Sequence, residues 1–535
     1  MGTDDKRIEK QKKDPDTIIK DLGGCGRFQV RMTVIVHLMK TIFCFSTSNL
    51  LISTATPTWW CVNDDHASNE SHYTNMENAS VHYDNEMACT AKNGTKCTTV
   101  TYDSSLNSLV NEFDLICDKD FIPGTLSSLQ LTGQLAGNII SGQLADLFGR
   151  KRPFFSSVMI LLTFHVVGFF SVSWEMFAVS TFFVGISQGF FLTIQYNLLS
   201  EFTLAKWRVW IIGFPSWQLQ SSLFALIAWL LHDWRYLQLM TAISALPCLL
   251  AWWFIPESFR WYYAHDKPKE AMNIIKTVAK FNRHDLVNIE NSFQSLELVT
   301  TKSDKRYTFL HLFKSRALAR ITLLLMIDWF GLGLVGYGLY FGIQKLSGNI
   351  YLNAFLFTLC AIPSKSIALW LQNRIGRGNT TIICFVIIAV IGLTVGILQT
   401  LDVPHKDVVT NVLSFTANAG IGAAWSSVQT ITVELYPTVV RNIGFGTVGV
   451  ISGLASVLGP QLVYLESYFS GLLYYVCGAV AILCVLSTLA LPETKDKNLN
   501  DKIAEMTKLD GISSIDIEVV NKAPENGNVE QNGHI

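Results

Sequence analysis

The chain has 535 residues, 50% hydrophobic and 16% charged, with 36 glycines, 14 tryptophans and a formal net charge of −1. So few charges cannot coat a soluble protein of this length, and the near-zero balance identifies no partner. The apolar residues come instead in runs of about twenty, the length a helix needs to cross ~30 Å of hydrocarbon, which makes this a polytopic membrane protein.

Residues 1–28 are polar and basic, with Lys6, Arg7, Lys10, Lys12, Lys13, Lys20 and Arg27. They read as a cytosolic segment without a cleavable leader, feeding a first apolar anchor. Twelve spans are expected, at 29–53, 122–146, 153–171, 175–199, 208–231, 236–255, 319–342, 349–371, 380–400, 408–432, 443–464 and 470–491. These runs lack the two-residue alternation of a membrane strand, so they are helices. The organisation is a first half over 29–255, a linker over 256–318, a second half over 319–491 and a cytosolic, disordered tail over 492–535. With the N-terminus inside, the short inner loops hold Arg150, Lys151, Arg152, Lys206, Arg208, Arg374, Arg377 and Arg441, against Arg235, Lys345 and Lys406 outside. That bias obeys the positive-inside rule.

Two loops are long. Residues 57–121 fall outside and carry Cys61, Cys89, Cys97 and Cys117, an even set expected to form disulfides, with three connectivities open. The same loop carries the sequons at Asn69, Asn78 and Asn93, so it is expected to be glycosylated. Its His66, His72 and His82 lack zinc-type spacing, and no metal or cofactor is expected. The second long loop, 256–317, is mixed in charge and expected to be partly helical.

Internal repetition is the strongest pattern. "GQLADLFGRKRP" (142–153) is echoed by "NRIGR" (373–377), "PES" at 256 by "PET" at 492, and Glu201 before Arg208 by Glu434 before Arg441. The offsets between partners are 227, 233 and 236 residues, which marks a duplicated six-span half. Parallel six-span halves are the organisation of major facilitator transporters. Gly142 and Gly149 suit a close approach and a tight turn. Asp146 at a helix C-terminus needs the neighbouring Arg150, Lys151 or Arg152 to offset the carbonyl dipole.

Charges buried in hydrocarbon cost ~2.5–3.5 kcal/mol each on insertion scales and carry a functional reading by default. Lys40 lies near the middle of span one. Asp328 in span seven and Lys365 in span eight differ in depth by only ~5 Å, so a structural ion pair between them is the plainer alternative. Trp217, Trp329, Phe330, Tyr337, Tyr340 and Trp425 could line an apolar cavity for a bulky organic ion, although most membrane aromatics only pack. "VGYG" at 335–338 mimics a potassium filter but follows Leu334 inside a full-length span. No Walker, nucleophile-elbow or metalloprotease motif is present, so an enzyme is not expected.

Together, the Cys- and sequon-bearing loop, "GQLADLFGRKRP", "DWRYLQL" (233–239), "PESFRW" (256–261), "NRIGR", "ELYPTVVRNIGFG" (434–446) and "LPETK" (491–495) resemble the organic cation, anion and zwitterion transporter family of the major facilitator superfamily, over 20–495. The resemblance implies an all-α membrane fold of twelve helices in two pseudo-symmetric halves, alternating access and a plasma-membrane location with both termini cytosolic. It implies an inner gate at Asp146, Gly149, Arg150, Glu201, Arg208, Arg374, Arg377, Glu434 and Arg441. It also implies a substrate site that includes Lys40, Trp217, Asp328, Trp329, Tyr337, Lys365 and Trp425. Leu147, Asn373 and Gly336 depart from the family pattern, and Gly453 stands where the family's cation carriers place an acid and its anion carriers a base. Two buried lysines against one aspartate give a net positive cavity, so the expected substrate is a small organic anion. An organic cation or carnitine-like zwitterion is the alternative, and a transport-inactive receptor or scaffold a distant one. Expected partners are the substrate, a coupling ion or exchanged solute, and membrane lipid, with no nucleic acid.

Overall fold

A computed structural model describes residues 18–20, 22–62, 89, 97, 99–204, 207, 214–284, 309–313, 315–401, 406–436 and 440–494. In chain order the first half comprises α1 (Arg27–Ser53), a hairpin of β1 (Trp59–Val62) and β2 (Thr99–Tyr102), a single turn α2 (Leu109–Glu112), then α3 (Phe121–Phe148), α4 (Lys151–Phe169), α5 (Trp174–Phe202), α6 (Ser216–Leu231) and α7 (Trp234–Leu249). Two short helices follow, α8 (Phe259–Ala264) and α9 (Pro268–Asn282). The second half comprises α10 (Arg316–Gly342), α11 (Ile350–Ile375), α12 (Arg377–Thr400), α13 (Lys406–Leu435), α14 (Arg441–Leu465) and α15 (Leu472–Ala490). The twelve long helices match the twelve expected spans to within a few residues, apart from two proline sites. α6 starts after Pro215, and α7 gives way to a 3₁₀ turn at Leu250–Trp253 shortly after Pro247, which cannot donate to the helix ladder.

Among the described residues, nine of these helices are long and apolar enough to cross a membrane, α7 when counted with the 3₁₀ turn that extends it to Trp253. α3, α6 and α13 fall short. α6 has only 16 residues, while α3 and α13 carry polar side chains such as Gln130, Gln134 and Asn138, or Asn411 and Asn418. Within a bundle that polarity is tolerable because these helices pack on protein as well as lipid.

Each half closes on intimate helix crossings. α3 crosses α5 so closely that a Cβ on Gly185 would lie 2.0 Å from the Gln130 carbonyl oxygen, and one on Gly133 2.2 Å from that of Phe182. In a membrane, where water supplies no drive between helices, such backbone approach is a principal source of packing energy. The halves meet along α3 with α14 and along α6 with α11.

The bundle has two distinct ends. One carries the hairpin, in which Trp59 pairs with Tyr102 and Cys61 with Val100, together with the disulfides Cys61–Cys97 and Cys89–Cys117. Strands in this loop were not anticipated from the sequence. The loop is anchored to the bundle by Arg235, which is paired with Glu112 and donates to the Phe169 and Ser171 carbonyls, and by the Trp234 indole, which donates to Glu112. The other end carries the basic turns 148–151 and 375–377.

Hydrogen bonds between the halves cluster toward the disulfide end. Ser48 shares one with Tyr340 at 2.9 Å, and Gln344 donates to the Leu51 carbonyl at 2.7 Å. Ser128 donates to the Val457 carbonyl at 2.8 Å and accepts from Gln461, while Tyr468 donates to Asp120 at 3.2 Å.

Candidate functional site

At the basic end the repeat resolves into one device built twice. Gly149 ends α3 at φ +93°, and Gly376 ends α11 at φ +105°, both with ψ near 165°. That backbone region is essentially closed to side chains. Each glycine turns the chain straight into the next helix, leaving that helix's first N–H groups unsatisfied. A carboxylate from the end of the same half fills the gap. Glu257 accepts from the Arg150 and Lys151 amides at 2.7 and 3.1 Å, and Glu493 accepts from the Arg377 and Gly378 amides, both at 3.0 Å. An anion at a helix N-terminus is also favoured by the helix dipole. A Cβ on Gly149 would stand 2.3 Å from Glu257, and one on Gly376 2.6 Å from Glu493.

The arginine after each glycine turns back along its own half. Arg150 donates Nε–H to Glu201 at 3.1 Å and pairs with Asp146 through Nη1. Burial pulls the Arg150 guanidinium down, but Glu201 and Asp146 outweigh it and hold the group above its ordinary value. Arg377 pairs with Glu434 at 3.3 Å, and its Nε has no acceptor among the described residues. The difference follows from Asn373, which stands four residues before Arg377 where Asp146 stands before Arg150. Arg441 donates to the Tyr436 carbonyl at 3.3 Å, so Glu434 is engaged by Arg377. Arg374 lies over the Trp370 ring. Arg208, like Asn69, Asn78 and Asn93, lies outside the described residues.

Two groups of side chains gather inside the bundle, one in each half. In the second half, Trp329 donates its indole N–H to Thr432 at 2.9 Å, and its ring stands edge-on to Trp425 at 5.7 Å and Phe445 at 5.1 Å. The Trp425 indole lies 3.4 Å from where a Cβ on Gly336 would be, so the glycine leaves room for it. Trp425 and Phe445 are half-buried, whereas Trp329, whose ring stands edge-on to both, is buried; Tyr337, about two turns further along α10, lies half-buried against Gly459 of α14. In the first half, Lys40 is buried and sits over the Trp217 ring at 5.8 Å, while Cys44 donates to the Trp217 carbonyl at 3.3 Å. Lys365 of α11 lies within electrostatic range of Lys40.

The alternative ion pair between Asp328 and Lys365 is not among the ion pairs of the described residues. Asp328 is buried against α15, where Thr488 donates to its Oδ2 at 3.2 Å. Equal depth did not bring the two together because adjacent helix positions point ~100° apart. Trp329 faces the aromatic group, and Asp328 faces the neighbouring helix. Asp328 is therefore set apart from the other candidate substrate residues.

Sequence reasoning singled out neither Glu257 nor Glu493 as functional, although "PES" and "PET" recur at the repeat offset. Their motif position was the available signal. Phe445 and Thr432 carried none.

Comparison with known proteins fits this geometry. The "Sugar (and other) transporter" family model matches residues 69–506. The chain is 32% identical to solute carrier family 22 member 4 of Mus musculus over 424 residues, which is 76% of this chain and 74% of that protein. It is 31% identical to organic cation/carnitine transporter 2 of Rattus norvegicus over 439 residues, 79% of this chain and 76% of that one. An organic cation transporter protein of Drosophila melanogaster is 30% identical over 430 residues, 78% and 77% of the two chains. Among solved structures, the xylose transporter XylE from E. coli in a partially occluded inward open conformation superposes with a TM-score of 0.63 at 16% identity, covering 88% of this chain and 100% of that one. That likeness shows the fold, which is the major facilitator fold.

Proposed function

Because this chain belongs to the organic cation, anion and zwitterion transporter family of the major facilitator superfamily, we propose that this transporter of small organic ions carries an organic cation or a carnitine-like zwitterion by alternating access. The observation that carries the reading is the aromatic group of Trp425 and Phe445, backed by Trp329. Aromatic faces attract a quaternary ammonium without the desolvation that a carboxylate partner would demand. The expectation of an organic anion, drawn from counting buried charges, is not supported. The relatives include proteins named as organic cation and carnitine transporters.

The basic end faces the cytosol in this reading, since the short loops there hold the excess of arginine and lysine. The disulfide loop is then extracellular and glycosylated at Asn69, Asn78 and Asn93, with the plasma membrane as location. The hydrogen bonds between Ser48 and Tyr340, and between Ser128 and Val457, close the outer side. Asp146, Gly149, Arg150, Glu201, Arg208, Arg374, Arg377, Glu434 and Arg441 then belong to the inner gate, each half holding its charges internally until the halves rock together.

The test is uptake of labelled tetraethylammonium, carnitine and an organic acid into proteoliposomes holding the purified chain, against empty vesicles. Uptake of the first or second is expected. Uptake of the organic acid alone would overturn the substrate assignment, and uptake of none would favour a receptor or scaffold.

A further inference from the structure

The start of α1 and the end of α9 meet in a junction that gathers positive charge. Asn282 fixes it, donating to the Leu22 carbonyl at 3.0 Å and accepting from the Phe28 backbone N–H at 2.8 Å. Ile18, Ile19, Leu22 and Phe28 turn inward from one segment, and Ala271, Ile275, Val278 and Ala279 from the other. The bases are left outside: Lys20, Arg27, Lys276, Lys280 and Arg283 are exposed and Arg31 is half-buried. The described residues of 18–31 and 273–284 include these six bases and no acid. Asp21 and Asp285 adjoin them in the sequence, outside the described residues, so the balance is still strongly positive.

The junction lies at the rim of the hydrocarbon. α1 exposes Val30, Val34 and Leu38, and α7 exposes Ile243, Leu246, Leu250 and then Trp253. Apolar stripes at this helical spacing on the outside of a membrane bundle face lipid. Both stripes run out beside Arg31, which donates to the Phe254 carbonyl at 3.4 Å and lies over the rings of Phe254 and Phe281 at 5.3 and 4.6 Å. Trp252, Trp253 and Phe254 are exposed there, as aromatic residues are where hydrocarbon meets headgroups. Arg283 caps α9 at φ +61° and ψ 40°, a left-handed position where glycine is the ordinary choice. The chain keeps a cation there despite the steric penalty on its Cβ.

We propose that this junction binds an anionic phospholipid of the cytoplasmic leaflet. The bases of α9 and of the α1 start take the headgroup, and the chains lie against Val30, Val34 and Trp253. Charge and address agree, because anionic lipids populate that leaflet and draw basic segments next to a first spanning helix. The bound lipid joins α1 to the linker between the halves. Only the choice of leaflet rests on the orientation proposed above. Lipid binding in micelles needs neither orientation nor transport, so its failure is distinct from a failure of the substrate reading.

The probes are radiolabelled phosphatidylserine and phosphatidylcholine, retained by the full chain purified in detergent micelles. The wild type is expected to retain phosphatidylserine by about ten-fold or more over phosphatidylcholine at equal mole fraction. Lys280→Gln and Arg283→Gly should each cut that preference about three- to five-fold, the range of one base at an anionic surface, and the two losses should multiply. Glycine suits the backbone of residue 283, so the second change removes the charge without disturbing the fold. Lys119→Gln, an exposed base at the disulfide end, should leave the preference unchanged. Glycerophosphoserine, the headgroup without chains, should compete at least ten-fold less well than the lipid.

Equal retention of the two lipids by the wild type, a measurement that needs no variant, would overturn the proposal. A preference that survives Lys280→Gln with Arg283→Gly, or that falls as far with Lys119→Gln, would overturn the assignment to this junction. Competition by glycerophosphoserine equal to that of the lipid would overturn membrane docking in favour of a site for a soluble anion.

Discussion

Gly376→Ala perturbs the basic-end turn at one atom. Residue 376 sits at φ +105° and ψ 163°, and an added methyl would lie 2.6 Å from the Glu493 carboxylate. The carboxylate cannot step aside freely, because it accepts from the Arg377 and Gly378 amides at 3.0 Å and from the Thr494 amide at 2.9 Å. Forcing a side chain into this backbone region costs about 1–3 kcal/mol. Displacing a charged acceptor from its N–H donors costs about 1.5–3 kcal/mol more. The expected loss is thus roughly 2.5–6 kcal/mol if both terms are met in full, less if the turn relaxes. The assay is thermal unfolding of the detergent-solubilised chain, with Gly142→Ala as the control. Gly142 lies inside α3 with nothing within 4 Å of an added Cβ, so there the change should be neutral or stabilising by up to about 1 kcal/mol. A Gly376→Ala protein as stable as the wild type would refute the account of the turn.

Two further outcomes follow from the same geometry. Asn373→Asp supplies the carboxylate that Asp146 provides in the first half, and Arg377 has a free Nε to meet it. The site is exposed, so a stability gain of only about 0.3–1 kcal/mol is expected, read as a small rise in melting temperature; no gain would show that Arg377 is already satisfied. Gly446→Trp should unfold like the wild type, because nothing lies within 4 Å of a Cβ there, yet abolish uptake by holding α14 off α3; normal uptake would sink the idea that these helices close at this end.

The fold was legible because its signals are long. Twenty-residue apolar runs, a loop-charge bias and three motif pairs at nearly one offset are properties of whole segments, robust to any single residue. The candidate site was less legible. Which helix face a residue presents cannot be read from depth, and this separated Asp328 from Lys365 although their spans align. Lys40 and Lys365 were visible as costly charges, but their placement on facing halves required α6 to be packed between α1 and α11. Glu257 and Glu493 look like loop residues in the sequence. Only the fold shows them capping helices more than a hundred positions away.

The register of α3 against α14 ties gate and site together. Ser128 meets Val457 near the disulfide end, and one step further in, a Cβ on Gly453 would touch Leu135 at 2.8 Å. Continued at the same antiparallel spacing, the next pair is Gly142 with Gly446, where neither glycine has a neighbour within 4 Å. The helices therefore touch over their outer portion and splay toward the basic end, at the level of Phe445. Bringing the glycines together would exchange the outer contacts, which are neutral hydrogen bonds of about 0.5–1.5 kcal/mol each, for close backbone packing at the inner end. Those terms are similar in size, so neither state dominates by contacts alone.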